Sequence, residues 1–374
     1  HENQITREVI ETYAKKHTLC PFELSLDVSL WCDVIIGDYN YLFDPTVYLR
    51  RFFEGEKNED HLFLIDEAHN LVSRSREMYS AKLSYRSARN VYALIPKEFK
   101  KLRRRFNKLL KAFDQIQEIS NEDGWTYHHQ KAPADTLVNA GYQLSEHIQE
   151  WLAEYPEHAI QETLLPFYFD LLHFLKISEF YDDHYETTVE KTYQDFVIKA
   201  FCIDPSDFLE QSLAKGRSSI LFSASFSPLS YYQETLGGKE SLAYRLPSPF
   251  PEENQKVLIT NYLETTYRKR EENMPRLIET IQHFTKEKIG NYLIFFPSYQ
   301  YLDQAVTAFQ EKHPDVKVLI QDTMMSEIER ETFLKQFQID PDETLLAFCV
   351  LGGIFSEGID LKGTRLIGSM IVGV

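Results

Sequence analysis

The sequence predicts an α/β protein of two parallel-sheet domains, the first interrupted by a helical insertion. Three observations carry that expectation. Short apolar runs at 62–65, 291–297 and 345–351 stop abruptly at polar or glycine-rich turns and alternate with helical patterns, as strands feeding crossover helices do. Between about 82 and 204 glycine nearly disappears, leaving only Gly124 and Gly141, and long helical periodicity takes over. Residues 245–251, RLPSPFP, place three prolines in seven positions and mark a linker. The expected layout is a first domain from 1–81 and 205–246, a helical insertion at 82–204 and a second domain at 250–374.

The 374 residues, 43% hydrophobic, suffice for more than one core. The balance of 40 basic against 57 acidic residues gives a net charge of −17. No general field therefore draws in nucleic acid or an anionic membrane, and any DNA contact must come from local patches. Four cysteines without regular spacing argue against a disulfide framework and suit a reducing, cytoplasmic setting. No apolar run has the length of a membrane span, and the first residues lack a signal peptide's apolar stretch. The chain opens on His1 and closes on LIGSMIVGV, an apolar strand with nothing after it; an internal fragment is expected.

In chain order, Ile5, Val9, Ile10 and Tyr13 form one helix face, and Cys20-Pro21-Phe22 leads into a second helical pattern. Residues 33–45, DVIIGDYNYLFDP, predict a short buried strand, a turn at Gly37-Asp38 and an aromatic stretch holding Tyr39 and Asn40. HLFLIDEAHNL at 61–71 predicts a strand buried on both faces, ending in Asp66-Glu67-Ala68-His69. Two adjacent carboxylates at the carboxyl end of such a strand stand where open α/β sheets bind ligands. One can hold Mg²⁺ while the next takes a proton from the water that attacks the γ-phosphate of ATP.

Within the insertion, residues 96–118 begin at Pro96 and predict a helix whose apolar face is Phe99, Leu102, Phe106, Leu109, Leu110 and Phe113. Its other face is basic, with Arg103, Arg104, Arg105 and Lys108 at its centre. Helices are expected near 134–154 and 158–177. The apolar run 193–203 predicts a strand re-entering the first domain. Residues 219–228, SILFSASFSP, predict a buried strand ending in Ser223-Ala224-Ser225. After the linker, strands are expected at 256–260, 291–297, 316–320 and 345–351, with helices near 272–287, from 298 and at 325–337. YLIFFPSYQY at 292–301 places Ser298 and Tyr299 at a strand end. GGIFSEGIDL at 352–361 gives a tight glycine turn followed by Glu357, Gly358 and Asp360.

DEAHN, with YNYLFDP, SASFSP, YLIFFPSYQY and GGIFSEGIDL in this order, resembles the XPD/DinG branch of the DEAH-box iron–sulfur DNA helicases of superfamily 2. The resemblance implies two RecA-like P-loop NTPase motor domains, an arch-like insertion in the first, and ATP-driven 5′→3′ translocation on single-stranded or forked DNA in repair or replication. It implies that Asp66 binds Mg²⁺, Glu67 activates water and His69 links nucleotide state to Ser223 and Ser225. Glu357, Gly358 and Asp360 would serve the ATP cleft between the lobes. DNA would meet Tyr39, Asn40, Ser298, Tyr299 and the basic helix at Arg103, Arg104, Arg105 and Lys108. Cys20 would be the last of four ligands to a 4Fe–4S cluster, its partners lying before residue 1. A monomer is expected.

The departures are Ser225 where the family has Thr, Phe226 for Leu and Ile354 for Lys. Neither GxxxxGK[ST] nor an arginine-rich QxxGRxxR-like box occurs. Two other classes remain: a non-catalytic DNA-binding or scaffolding protein derived from a helicase, and a metal-dependent nuclease or phosphohydrolase using Asp66 and His69.

Overall fold

The computed structural model describes residues 4–53, 61–122, 124, 126–356 and 358–373. The chain divides into two compact units, residues 1–246 and 247–374.

The first unit begins with helices Arg7–His17 and Pro21–Ser29. Thr6 caps the former, and Pro21 starts the latter at the position where its missing N–H costs nothing. The strand expected near 33–36 is absent; Val34 and Ile36 are exposed, and order resumes in the single turn Asn40–Phe43, which buries Leu42 and Phe43. A short apolar run without a pairing partner does not become a strand.

β1 (Leu62–Ile65) forms as expected but is not buried on both faces. Phe63 and Ile65 face the core, whereas Leu62 and Leu64 are each 68% exposed. Alternate strand residues point to opposite faces, and only one face of this sheet carries a covering layer among the described residues.

The segment expected to be helical also holds a sheet. β2 (Ala81–Ser84), β3 (Tyr127–Gln130), β4 (Tyr185–Lys191) and β5 (Phe196–Cys202) form an antiparallel sheet of order β2-β5-β4-β3. Helices Tyr85–Leu94, Lys100–Glu122, Asp135–Glu154 and Gln161–Ser178 accompany it. The run expected to re-enter the parallel sheet is β5, central to this antiparallel one. Its alternation explains why: Phe196, Ile198, Ala200 and Cys202 are buried, while Val197, Lys199 and Phe201 lie half-buried on the outer face. Gly141 allows close helix packing, since a Cβ there would lie 3.0 Å from Leu175 Cδ2.

β6 (Ser218–Leu221) returns to pair with β1 in parallel, Leu64 opposite Ile220. These two strands make the whole of that sheet among the described residues.

The second unit is a parallel α/β layer structure. Helix Arg270–Thr285 leads into β7 (Asn291–Phe296), helix Tyr299–Lys312, β8 (Lys317–Ile320), helix Glu327–Lys335, β9 (Leu345–Val350) and β10 (Gly368–Ile371). The order is β10-β7-β9-β8, all parallel. All six residues of β9 are buried, because helices cover both faces of the sheet. The strand expected at 256–260 does not form: Val257, Leu258 and Ile259 are exposed in irregular chain.

Candidate functional site

β1 ends at Ile65, and the chain turns at once. Glu67 takes a left-handed conformation, φ 46° and ψ 39°, costly for a residue with a Cβ. Three contacts hold it there. Its N–H donates to Asp66 Oδ1 at 2.7 Å. The next amide, Ala68 N–H, donates to Phe222 O at 3.1 Å, and Phe222 N–H donates to Ile65 O at 3.0 Å, which ties the turn to the end of β6. Tyr39 supplies the third: its hydroxyl donates to Asp66 O at 2.5 Å and Glu67 O at 3.0 Å. Burial, then the charges of Asp66, Glu67 and Asp38, raise the pKa of this phenol, so it stays a donor. The hydroxyl of Tyr39, a residue expected at DNA, is engaged by the turn. Asn40 opens the following helical turn with its N–H on Asp38 Oδ1 and is exposed.

His69 follows in a 3-10 turn. Its Nδ1 lies 2.8 Å from Ser223 Oγ and 3.2 Å from Glu67 Oε2. Ser223 Oγ in turn accepts from Ser225 N–H at 3.1 Å and lies 3.3 Å from Ser225 Oγ. A polar path thus runs Glu67–His69–Ser223–Ser225 across the ends of β1 and β6. A proton on Nδ1 makes the ring a donor toward the Glu67 carboxylate; a proton on Nε2 makes Nδ1 an acceptor for the Ser223 hydroxyl.

Asp66 is exposed and uses one carboxylate oxygen on Glu67 N–H. That suits Mg²⁺, which commonly takes one or two protein carboxylates and completes its shell with water and phosphate. An iron–sulfur cluster is different. Cys20 and Cys32 are exposed, Cys202 and Cys349 are buried, and no three metal-ligating side chains converge among the described residues. Burial pushes the Cys202 and Cys349 thiols up to about 12, marking them as core residues. The described residues by themselves do not assemble a cluster site; Cys20 is exposed.

The basic helix is less uniform than its sequence. Arg103 turns inward: its guanidinium donates to Tyr92 O and Ile95 O at 3.3 and 2.5 Å and lies 4.3 Å from the Tyr92 ring centre. It closes the preceding helix rather than facing solvent. Arg105 and Lys108 both donate to Gln143 Oε1, at 2.5 and 3.3 Å. Arg104 is exposed, as are Lys97, Lys100, Lys101 and Lys111.

In the second unit Ser298 caps helix Tyr299–Lys312, its hydroxyl accepting from Tyr301 N–H at 3.3 Å. Its oxygen thus has a capping role at the strand end where a DNA contact is expected. The Tyr299 hydroxyl accepts from Gln321 Nε2 at 2.9 Å. The glycine turn after β9 has Gly352 at φ 75° and Gly358 at φ 67°. Phe355 anchors it, stacked 4.2 Å from Phe333, and Gly358 O accepts from Arg330 at 3.3 Å. Asp360 pairs with Lys362 at 3.0 Å. Glu357 lies outside the described residues. Sequence reasoning missed Gln321 and Arg330; the one signal for Gln321 was a polar residue directly after the apolar run 316–320.

Two family models match: DEAD_2 over residues 1–88 and the helicase C-terminal domain over 281–374. The XPD helicase subunit of general transcription and DNA repair factor IIH from Schizosaccharomyces pombe is 24% identical, aligned over 94% of this chain and 54% of its own length. The ATP-dependent DNA helicase CHL1 of Saccharomyces cerevisiae is 23% identical, over 95% and 46%. A solved XPD helicase structure superposes with TM-score 0.54 at 20% identity, covering 98% of this chain and 63% of that one. The chain is thus similar to XPD-type superfamily 2 helicases in both matched stretches. It spans about half the length of the curated relatives it matches. The DEAH turn falls inside the first matched stretch and β7 to β10 inside the second. The basic helix and Ser223 lie between them.

Proposed function

We propose that this chain is the motor portion of an ATP-dependent DNA helicase that moves 5′→3′ along single-stranded or forked DNA in repair. The observation that carries the reading is the polar path Glu67–His69–Ser223–Ser225 at the ends of two parallel strands. A solvated acidic turn has no need of it, whereas a motor must convey the state of its phosphate site to a second strand end. Asp66 would hold Mg²⁺ through the carboxylate oxygen not engaged by Glu67 N–H. When bound, Mg²⁺ neutralises charge on the β- and γ-phosphates of ATP. Glu67 takes the proton of the attacking water. His69 touches that carboxylate and passes its state to Ser223.

Glu357, Gly358 and Asp360 are assigned to the nucleotide cleft, and Asn40, Tyr299, Arg104, Arg105 and Lys108 to the strand's path. The protein acts as a monomer in a reducing, cytoplasmic setting; no helix among the described residues is long and apolar enough to cross a membrane. Cys20 would supply one ligand to a 4Fe–4S cluster in the full-length protein.

The test is Glu67→Gln in the protein encoded by the complete reading frame. ATP binding is expected to persist while hydrolysis falls by roughly 10²–10⁴-fold, the usual worth of a general base. Turnover at the wild-type rate would overturn the assignment.

A further inference from the structure

In the second unit the chain runs from β7 out to β8, back to β9 between them, and then to β10 on the other side of β7. The connections leaving β7 and β9 therefore depart to opposite sides. In open parallel sheets such a reversal opens a crevice at the carboxyl ends of the strands. Here its walls begin with Tyr299 after β7 and with Gly352-Gly353 after β9.

Gln321, the first residue after β8, joins both walls and is 3% exposed. Its Oε1 accepts from Val350 N–H, and its Nε2 donates to the Tyr299 hydroxyl, each at 2.9 Å. Its own N–H donates to Phe348 O at 2.9 Å. The glycine turn folds directly over the amide: a Cβ on Gly353 would lie 2.8 Å from Gln321 Nε2 and 3.0 Å from Val350 O. One buried side chain thus fixes the ends of three strands relative to one another, and an apolar replacement strands a buried amide donor.

In front of it is an open concavity of about 510 Å³ lined by Tyr299, Asp322, Thr323, Met324, Glu329 and Ile354 among others, with no cation among them. Glu329 is already committed to Ser326 N–H and Oγ, at 2.7 and 2.8 Å. With the carboxylates of Asp322 and Glu329 in the lining and no cation, the concavity does not attract phosphate. Aromatic, thioether and hydroxyl groups suit the sugar and base side of a strand.

Resting on the nucleic-acid reading above, we propose that Gln321 is a positioning residue: it holds Tyr299 and the glycine turn as the two walls of a cation-free pocket for the sugar–base side of single-stranded DNA.

The test measures binding of a fluorescein-labelled oligothymidylate by this chain across a salt titration, for wild type, Gln321→Met, Tyr299→Phe and the double variant. Each single variant is expected to weaken binding roughly three- to tenfold, the worth of one or two hydrogen bonds. Loss of a neutral contact releases no counterions, so the factor is the same at low and high salt. The double variant is expected to lose less than the product of the two single losses, because both substitutions break the shared Gln321–Tyr299 bond. Gln321→Glu, which keeps acceptors for Val350 N–H and the Tyr299 hydroxyl, is expected to recover part of the loss. Wild-type affinity in Gln321→Met, or losses that multiply in the double variant, would overturn the inference while leaving the helicase reading intact. Should Gln321→Met fail to fold, Tyr299→Phe decides alone, and undiminished affinity overturns the proposal. A wild-type chain that binds no single strand overturns the nucleic-acid reading and the inference with it.

Discussion

His69 Nδ1 lies 2.8 Å from Ser223 Oγ, joining strand ends 154 residues apart in sequence. The bond is the polar link from the Glu67 carboxylate to the end of β6, so its removal tests coupling rather than chemistry. In the complete protein, Ser223→Ala is expected to leave ATP binding unchanged and hydrolysis close to wild type. The number of base pairs opened per ATP should fall by roughly 5- to 150-fold, the range of coupling energies between sites. Parallel measurement of phosphate release and strand separation checks this. An equal fall in both rates would place Ser223 in the chemistry.

Tyr39 and Glu67 predict stability changes of opposite sign. Tyr39→Phe removes the donor to two turn carbonyls and is expected to cost about 1 kcal/mol, or roughly 2–4 °C in Tm for a unit of this size. Glu67→Gly relieves the left-handed backbone at φ 46° and is expected to gain about 1 kcal/mol while abolishing hydrolysis. Thermal denaturation of this chain separates the two. A Glu67→Gly variant less stable than wild type would show that the carboxylate's contact with His69 outweighs the strain.

What the sequence disclosed was local. DEAHN, the helix faces and the alternation of strands and helices in the second unit depend on residues a few positions apart. Helices expected near 134–154 and 158–177 form at Asp135–Glu154 and Gln161–Ser178. Errors arose where a partner decides the outcome. Val34–Ile36 and Val257–Ile259 are as apolar as β1, yet among the described residues nothing pairs with them. β5 carried its evidence in Lys199, a half-exposed residue inside an apolar run, which marks a strand with one solvated face. Arg103 read as one cation among several because its acceptors, Tyr92 O and Ile95 O, lie in the preceding helix. Gln321 was silent because its partners at 299 and 350 are brought together only by the sheet.

The cysteines give a prediction read by colour. Cys20 and Cys32 are exposed, whereas Cys202 and Cys349 are buried, with thiols raised to about 12. The thiolate is the reactive form, and a raised pKa withholds it at neutral pH. Two thiols per chain are therefore expected to react rapidly with a disulfide reagent at pH 8, and four after denaturation. Rapid reaction of all four in the folded chain would contradict the packing of β5 and β9.

The basic helix contains two kinds of arginine, and the last prediction separates them. Arg103 is bound to the end of helix Tyr85–Leu94 and stacked on Tyr92. Arg103→Ala is expected to destabilise the chain by about 1–2 kcal/mol through lost hydrogen bonds and cation–π contact. Arg104 is exposed beside Lys100 and Lys101. Reversing those three to Glu is expected to leave Tm unchanged, since Leu102, Phe106 and Leu109 keep the buried face. If they line the strand's path, each lost phosphate contact lowers the salt slope of single-strand binding by ~0.7. The triple variant should therefore lose most affinity at low salt and little at high salt. The loss should be the same for every DNA sequence, because phosphate contacts carry no base information. The Gln321 variants should behave oppositely, with a salt-independent loss, so one titration assigns a charged and a neutral contact to different parts of the chain. A folded triple variant that binds like wild type at every salt concentration would make this helix a solvated face and leave the strand's path to the two parallel-sheet units.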